Sequence, residues 1–235
     1  MADQLQLNPN SVTGITDSSV PSDDDEPSLS SHTLAALKEF LAEQQHHSDA
    51  GGGSEVSLVS ENWNLSQFWY TPETAKTVAE EVLTLCGGVH ARVACIACPT
   101  LYVYLKQMNP NATVQLLEYD KRFQQYGSDY TFYDYNLPDE IPSELKHSCK
   151  VVVADPPYLS QECLEKVAET IRLLIQPGES FVLLLTGEVQ KERAAEILGL
   201  YPCGFRPQHS GKLGNEFRLF SNYDPETRLG GWNMM

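Results

Sequence analysis

Apolar and polar positions along this chain settle into two alternating rhythms after Tyr70. Val78, Val82 and Leu85 recur four and three apart, which predicts a helix with Thr71 as its cap, Pro72 in its first turn and Gly87-Gly88 as its stop. Short β-branched and apolar runs then predict strands over 92–98, 113–118, 130–133, 150–154 and 180–186. Helices fit between and after them at 101–108, 121–126, 161–175 and 189–198. Two last runs, 203–207 and 216–222, read as a closing antiparallel hairpin. Strands that alternate with helices are covered on both faces, so the expected fold is α/β with a mostly parallel, doubly wound sheet.

Neither rhythm is sustained before residue 55. Residues 1–29 are rich in Ser, Asp and Pro and too poor in apolar side chains to bury a core, which predicts a disordered acidic tail. Leu34, Leu37 and Leu41, widened by Phe40, predict a docking helix over 30–46. Gly51-Gly52-Gly53 marks a flexible linker over 47–54, and the folded domain is expected over 55–235.

Charge narrows the partners. The 235 residues carry a formal net charge of -16, and residues 1–50 hold nine acids against the single base Lys38, so the remainder is acidic too. A phosphate backbone is bound by basic surfaces, so nucleic acid is disfavoured relative to a protein or a small substrate. No apolar run is long enough to span a bilayer and none reads as a secretory signal; the expected compartment is the cytoplasm. The six cysteines have no framework spacing. Cys95 and Cys98 fall within one predicted strand, where that spacing sends side chains to opposite faces, so they are expected to be buried thiols rather than a redox or zinc pair. No His residue groups with Cys or acids, and no metal is expected.

The chemistry collects at strand ends. Val151-Val152-Val153-Ala154 is followed by Asp155-Pro156-Pro157-Tyr158. Neither proline can extend a hydrogen-bonded ladder, so the chain leaves the carboxyl edge of the sheet, where open α/β folds bind ligands. A carboxylate, backbone carbonyls and an aromatic face suit the holding of an amino group, although Asp and Pro also simply end strands. Glu118 closes the second strand, where a carboxylate accepts from ribose hydroxyls or is merely solvated. Asp134 follows the third strand, as an acceptor for an adenine amine or as part of an aromatic cluster with Phe132, Tyr133 and Tyr135. Three acids on one edge, with no P-loop and no G-x-G-x-x-G, fit an adenosine carrying a cationic sulfonium better than a nucleoside triphosphate or NAD. The aromatic segment Trp63-Asn64-Leu65-Ser66-Gln67-Phe68-Trp69-Tyr70 reads as a lid with Gln67 as a polar contact, or as a hydrophobic plug.

Together these residues resemble the seven-strand, Rossmann-like, S-adenosylmethionine-dependent methyltransferases with the Asp-Pro-Pro-Tyr signature. More narrowly, the chain resembles the elongation factor 1-alpha lysine methyltransferases, a family formerly described as N6-adenine-specific DNA methyltransferases. The narrower likeness rests on Leu34-Ala35-Ala36-Leu37, Ser66 to Tyr70, Glu118 to Phe123, Phe132 to Asn136, Asp155 to Tyr158 and Asn215-Glu216-Phe217-Arg218. One departure from the wider class is the loop Ala97-Cys98-Pro99-Thr100, which stands where a glycine-rich loop is usual.

The resemblance implies a cytoplasmic enzyme that methylates lysine on elongation factor 1-alpha, with S-adenosyl-L-methionine as cofactor. It implies Asp155, Pro156 and Tyr158 as catalytic residues, and Glu118, Asp134, Cys98 and Asp155 around the cofactor. Gln67, Phe68, Trp69 and Tyr158 would meet the substrate. Methylation of a nucleic-acid amine and a non-catalytic binding module remain as alternatives at this stage.

Overall fold

The computed structural model describes residues 57–87, 91–211 and 213–233; the expected acidic tail, docking helix and linker lie outside them. Among the described residues, seven strands form one sheet in the order β3-β2-β1-β4-β5-β7-β6. The strands are β1 (Arg92–Ile96), β2 (Thr113–Glu118), β3 (Tyr130–Phe132), β4 (Val151–Ala154), β5 (Phe181–Gly187), β6 (Tyr201–Pro202) and β7 (Phe217–Ser221). β1 to β5 run parallel, and β7 is antiparallel to both β5 and β6. This is the mostly parallel, doubly wound sheet expected from the strand–helix alternation, closed by the antiparallel strands of the seven-strand Rossmann-like architecture that the resemblance implies.

Period-two alternation explains why both faces are dry. Val93 and Cys95 of β1, with Val151 and Val153 of β4, enter one core together with helix α1 (Pro72–Cys86) and helix α2 (Pro99–Met108). Ala94, Ile96, Val152 and Ala154 enter the other, against α3 (Gln161–Leu174) and α4 (Lys191–Leu198). All of β4 is fully buried, and each valine there contributes about 1.5–3 kcal/mol of burial. Thr71 caps α1 by accepting the Thr74 N–H, and Gly87 ends it at φ 64°, where a Cβ would be strained.

Several boundaries differ from expectation for local reasons. The helix expected over 121–126 is a 3-10 run, Lys121–Asp129, broken at Gly127 (φ 62°, ψ -126°). Only Phe123 is buried in it, so no apolar stripe holds it as an α-helix. The final hairpin uses Tyr201–Pro202 rather than 203–207; Cys203 instead bridges Trp232. β1 stops at Ile96 because Ala97 takes a left-handed backbone, φ 53°. That turn overturns the expected separation of Cys95 and Cys98. Cys98 swings back into the same core as Cys95, and their thiols meet there.

Register then places the strand ends side by side. Ile96 of β1 pairs with Leu117 of β2 and with Ala154 of β4. The next residues continue the contact: the Ala97 N–H donates to Leu117 O and the Asp155 N–H donates to Ile96 O. Tyr133 N–H reaches Glu118 O in the same way.

Candidate active site

Above this edge opens a cleft of ≈ 690 Å³. Glu118, Asp134 and Asp155 all line it, as do Pro156, Tyr158, Gln67, Phe68 and Trp69. Of the site residues expected from sequence, Cys98 alone is missing from its walls. Its thiol is buried and donates to Val153 O, and the side chain facing the cleft from that loop is Ala97.

Two of the acids, buried Glu118 and half-buried Asp155, have no ion-paired cation among the described residues. Glu118 is 6% exposed, and one of its oxygens accepts the Asp120 N–H at 3.1 Å. Burial pushes its carboxyl up to about 7; backbone N–H donors and the Gln67 amide hold the value down, while the Asp120 charge adds to the rise. Burial likewise pushes Asp155 up to about 8, with the Glu118 charge adding to it and the Tyr70 hydroxyl opposing it. Both carboxylates therefore gain when positive charge arrives in the cleft. Asp134 is different: one of its oxygens accepts both the N–H and the side-chain amide of Asn136, an Asx turn on a half-exposed loop.

The aromatic segment is packed and also lines the cleft, so it combines both expected roles. Gln67 does not offer a free amide. Its Nε2 donates to Asp120 Oδ2 at 3.0 Å, and its Oε1 accepts from Asn62 N and Arg122 Nη2, each at 3.0 Å. Arg122 closes the network by donating to Asp120 at 2.6 Å, which with burial of Gln67 ties this segment to the end of β2. Trp69 donates its indole N–H to Val59 O and meets Phe123 edge-on at 6.3 Å. Trp63 is 75% exposed and stands away from the cleft. Tyr158 is 45% exposed, edge-on to Tyr135 at 6.1 Å, and offers a face at the mouth.

Three contributors escaped the sequence reading. Tyr70 is buried and its hydroxyl faces Asp155. His209 stacks on Tyr70 at 4.4 Å and meets Phe217 edge-on at 4.5 Å. Burial lowers His209 to about 4, so this wall of the cleft is a neutral imidazole at physiological pH. Ala97 is the third. Tyr70 and Phe217 lay in segments already marked as distinctive, but nothing local linked them to Asp155 or to each other.

Residues 61–225 match the family described as probable N6-adenine methyltransferase. EEF1A lysine methyltransferase 1 of Mus musculus is 48% identical over 206 residues, covering 86% of this chain and 94% of the relative. The Homo sapiens protein of the same name is 45% identical over the same shares. Protein-lysine N-methyltransferase M142.8 of Caenorhabditis elegans is 38% identical, covering 87% of this chain and 97% of the relative. Among solved structures, a branched-chain polyamine synthase mutein of Thermus thermophilus superposes with a TM-score of 0.51 at 12% identity, covering 85% of this chain and 67% of that one. This last likeness concerns the fold alone.

Proposed function

The chain belongs to the EEF1A lysine methyltransferase family, and on that premise we propose that its cleft brings S-adenosylmethionine to a lysine side chain of elongation factor 1-alpha. It is a protein-lysine N-methyltransferase by its relatives' names. The cytoplasm is the compartment such a substrate implies. When bound, S-adenosylmethionine supplies a methyl group on a cationic sulfonium. The observation that carries the reading is the pair of acids at one sheet edge, buried Glu118 after β2 and half-buried Asp155 after β4, with no cation bound to either carboxylate by a described side chain. A positively charged cofactor and an ammonium substrate are the guests such acids favour.

The residues divide the work. Glu118 accepts from the ribose hydroxyls, and Asp134 accepts from the adenine amine with the oxygen its turn leaves over. The Asp155 carboxylate and the Pro156 carbonyl accept from the substrate amine and aim its lone pair. Tyr158 packs along the lysine stem, with cation–π attraction while the amine is charged. Lysine titrates near pH 10.4, so it must lose a proton before it can attack. Burial and the neighbouring sulfonium favour that loss, whereas the Asp155 charge opposes it; Asp155 therefore serves chiefly to orient. Phe68 and Trp69 shape the apolar wall beside the amine, and Gln67 holds that wall in place through Asp120 and Arg122.

The test is transfer of labelled methyl from S-adenosylmethionine to purified elongation factor 1-alpha, followed by peptide mapping, with Asp155→Ala and Asp155→Asn alongside. Label on a lysine peptide, lost with Asp155→Ala, is the expected result. Label that goes only to RNA or DNA overturns the protein-lysine reading in favour of a nucleic-acid amine, the substrate class in the family's older description. That outcome would run against a chain of net charge -16.

A further inference from the structure

Tyr70 has a buried hydroxyl with no formed hydrogen bond to any described group, and that hydroxyl faces the carboxyl of Asp155. A buried hydroxyl left without a partner costs free energy, so native structures keep such groups where a partner arrives. The ring has little freedom to find one elsewhere. Backbone bonds pin the segment on both sides: Thr71 N–H donates to Gln208 O at 2.9 Å, and Ser210 N–H donates to Trp69 O at 2.8 Å. His209 stacks on the ring, and Tyr70 itself is only 3% exposed.

The groups that act on Asp155 come from three other places. Glu118 at the end of β2 repels its charge, Cys98 after β1 is a neutral thiol in the core, and Tyr70 before α1 is the one hydrogen-bond donor among them. His209, across Tyr70 from the C-terminal loop, is neutral and adds no charge.

We infer that Tyr70 is the positioning residue of Asp155: its O–H donates to one oxygen of the ionised carboxylate from the core side, leaving the other oxygen for the substrate amine. This inference rests on the methyltransferase reading for its purpose, though not for its measurement. A donor to a carboxylate makes a short, charge-assisted bond that favours the ionised form. It also removes one oxygen as a competing site, so an amine can bind in a single orientation. The Tyr70–His209 bridge ties this donor to the loop that leads into β7, whose first residue Phe217 is another wall of the cleft. Movement of that loop is thereby coupled to the orientation of Asp155.

The experiment titrates the Asp155 carboxyl in the full chain without cofactor, by difference infrared spectroscopy, with Asp155→Asn assigning the band. In Tyr70→Phe the midpoint is expected to rise by about one pH unit, as for loss of a charge-assisted hydrogen bond. The acid limb of kcat should move up with it, and kcat at neutral pH should fall about tenfold, with KM for S-adenosylmethionine unchanged. An identical midpoint in Tyr70→Phe and the natural chain overturns the inference. Should Tyr70→Phe fail to fold, fluorotyrosine incorporation reads the same bond with opposite sign. A stronger phenol donor must lower the Asp155 midpoint, and no change overturns the inference. A shifted midpoint in a protein that leaves elongation factor 1-alpha unmethylated supports the Tyr70 role while defeating the proposed substrate.

Discussion

Two regions of this molecule bury acids, and they do so in opposite ways. On α1, Glu81 is 2% exposed, and its carboxylate accepts from Arg228 Nε at 2.6 Å, Arg228 Nη2 at 3.2 Å and Tyr223 Oη at 2.7 Å. Every strong partner it needs is supplied by the C-terminal segment, so the group acts as a clamp. At the cleft, Glu118 and Asp155 are supplied with backbone and neutral side-chain donors and with each other's charge. Such an arrangement is poor for stability and useful for binding cations. The presence or absence of a countercharge, rather than burial itself, separates a structural acid from a working one.

Substitution should separate the two regions most sharply. Asp155→Ala is expected to lower kcat by about 100-fold through lost orientation of the amine, while leaving the melting temperature equal or higher. Initial rates and thermal unfolding on one preparation measure both. Glu81→Ala should do the reverse, costing about 2–3 kcal/mol in chemical denaturation because it strips Arg228 and Tyr223 of their acceptor. The lower part of the range for a broken buried pair applies, since the Arg228 side chain is 44% exposed. Its kcat at a temperature where it stays folded should match the natural chain. A catalytic defect there would break the comparison.

Binding and pH sharpen it further. Glu118→Gln should weaken S-adenosylmethionine about tenfold by calorimetry at pH 8, as expected for loss of a charged acceptor. In the natural chain affinity should decline as pH falls through about 7, where Glu118 protonates, and Glu118→Gln should lack that decline. Stability should follow the opposite course. Because the folded values of Glu118 and Asp155 lie above their ordinary values of 4.5 and 3.8, the folded chain binds more protons than the unfolded one between those limits and about 7 to 8. These two groups therefore lower stability as pH rises through that window. Asp155→Asn should flatten the slope, seen as a gain in melting temperature at pH 8 that vanishes near pH 4. A parallel loss at both pH values would contradict the assignment.

The smallest effect is expected at Ala97. Its left-handed backbone, φ 53°, costs a non-glycine residue about 1 kcal/mol, and Ala97→Gly should recover part of it in denaturant titrations. Methyl transfer should persist, because the loop keeps its path through the Ala97 N–H to Leu117 O bond.

Strands β1 to β5 and helices α1 to α4 were legible within a few residues, since their apolar periods are local and strong. The acids at the ends of β2 and β4 were legible for a related reason. In a parallel sheet, residues that follow neighbouring strands must emerge on the same edge, so Glu118 and Asp155 could be brought together from their positions alone. The hydrophobic pattern thus determined the fold class, the edge and the acids that line it. What it left open was partnership. Gln67 meets Asp120 across 53 residues and Tyr223 meets Glu81 across 142. Cys98 turns into the core because one alanine adopts a left-handed backbone, and the Tyr70 ring beside Asp155 is flanked by His209 from a loop more than a hundred residues away. Only the tertiary structure decides these matters, because hydrogen bonds and countercharges depend on contacts between distant segments, whereas burial in regular elements is written in the local period of the chain.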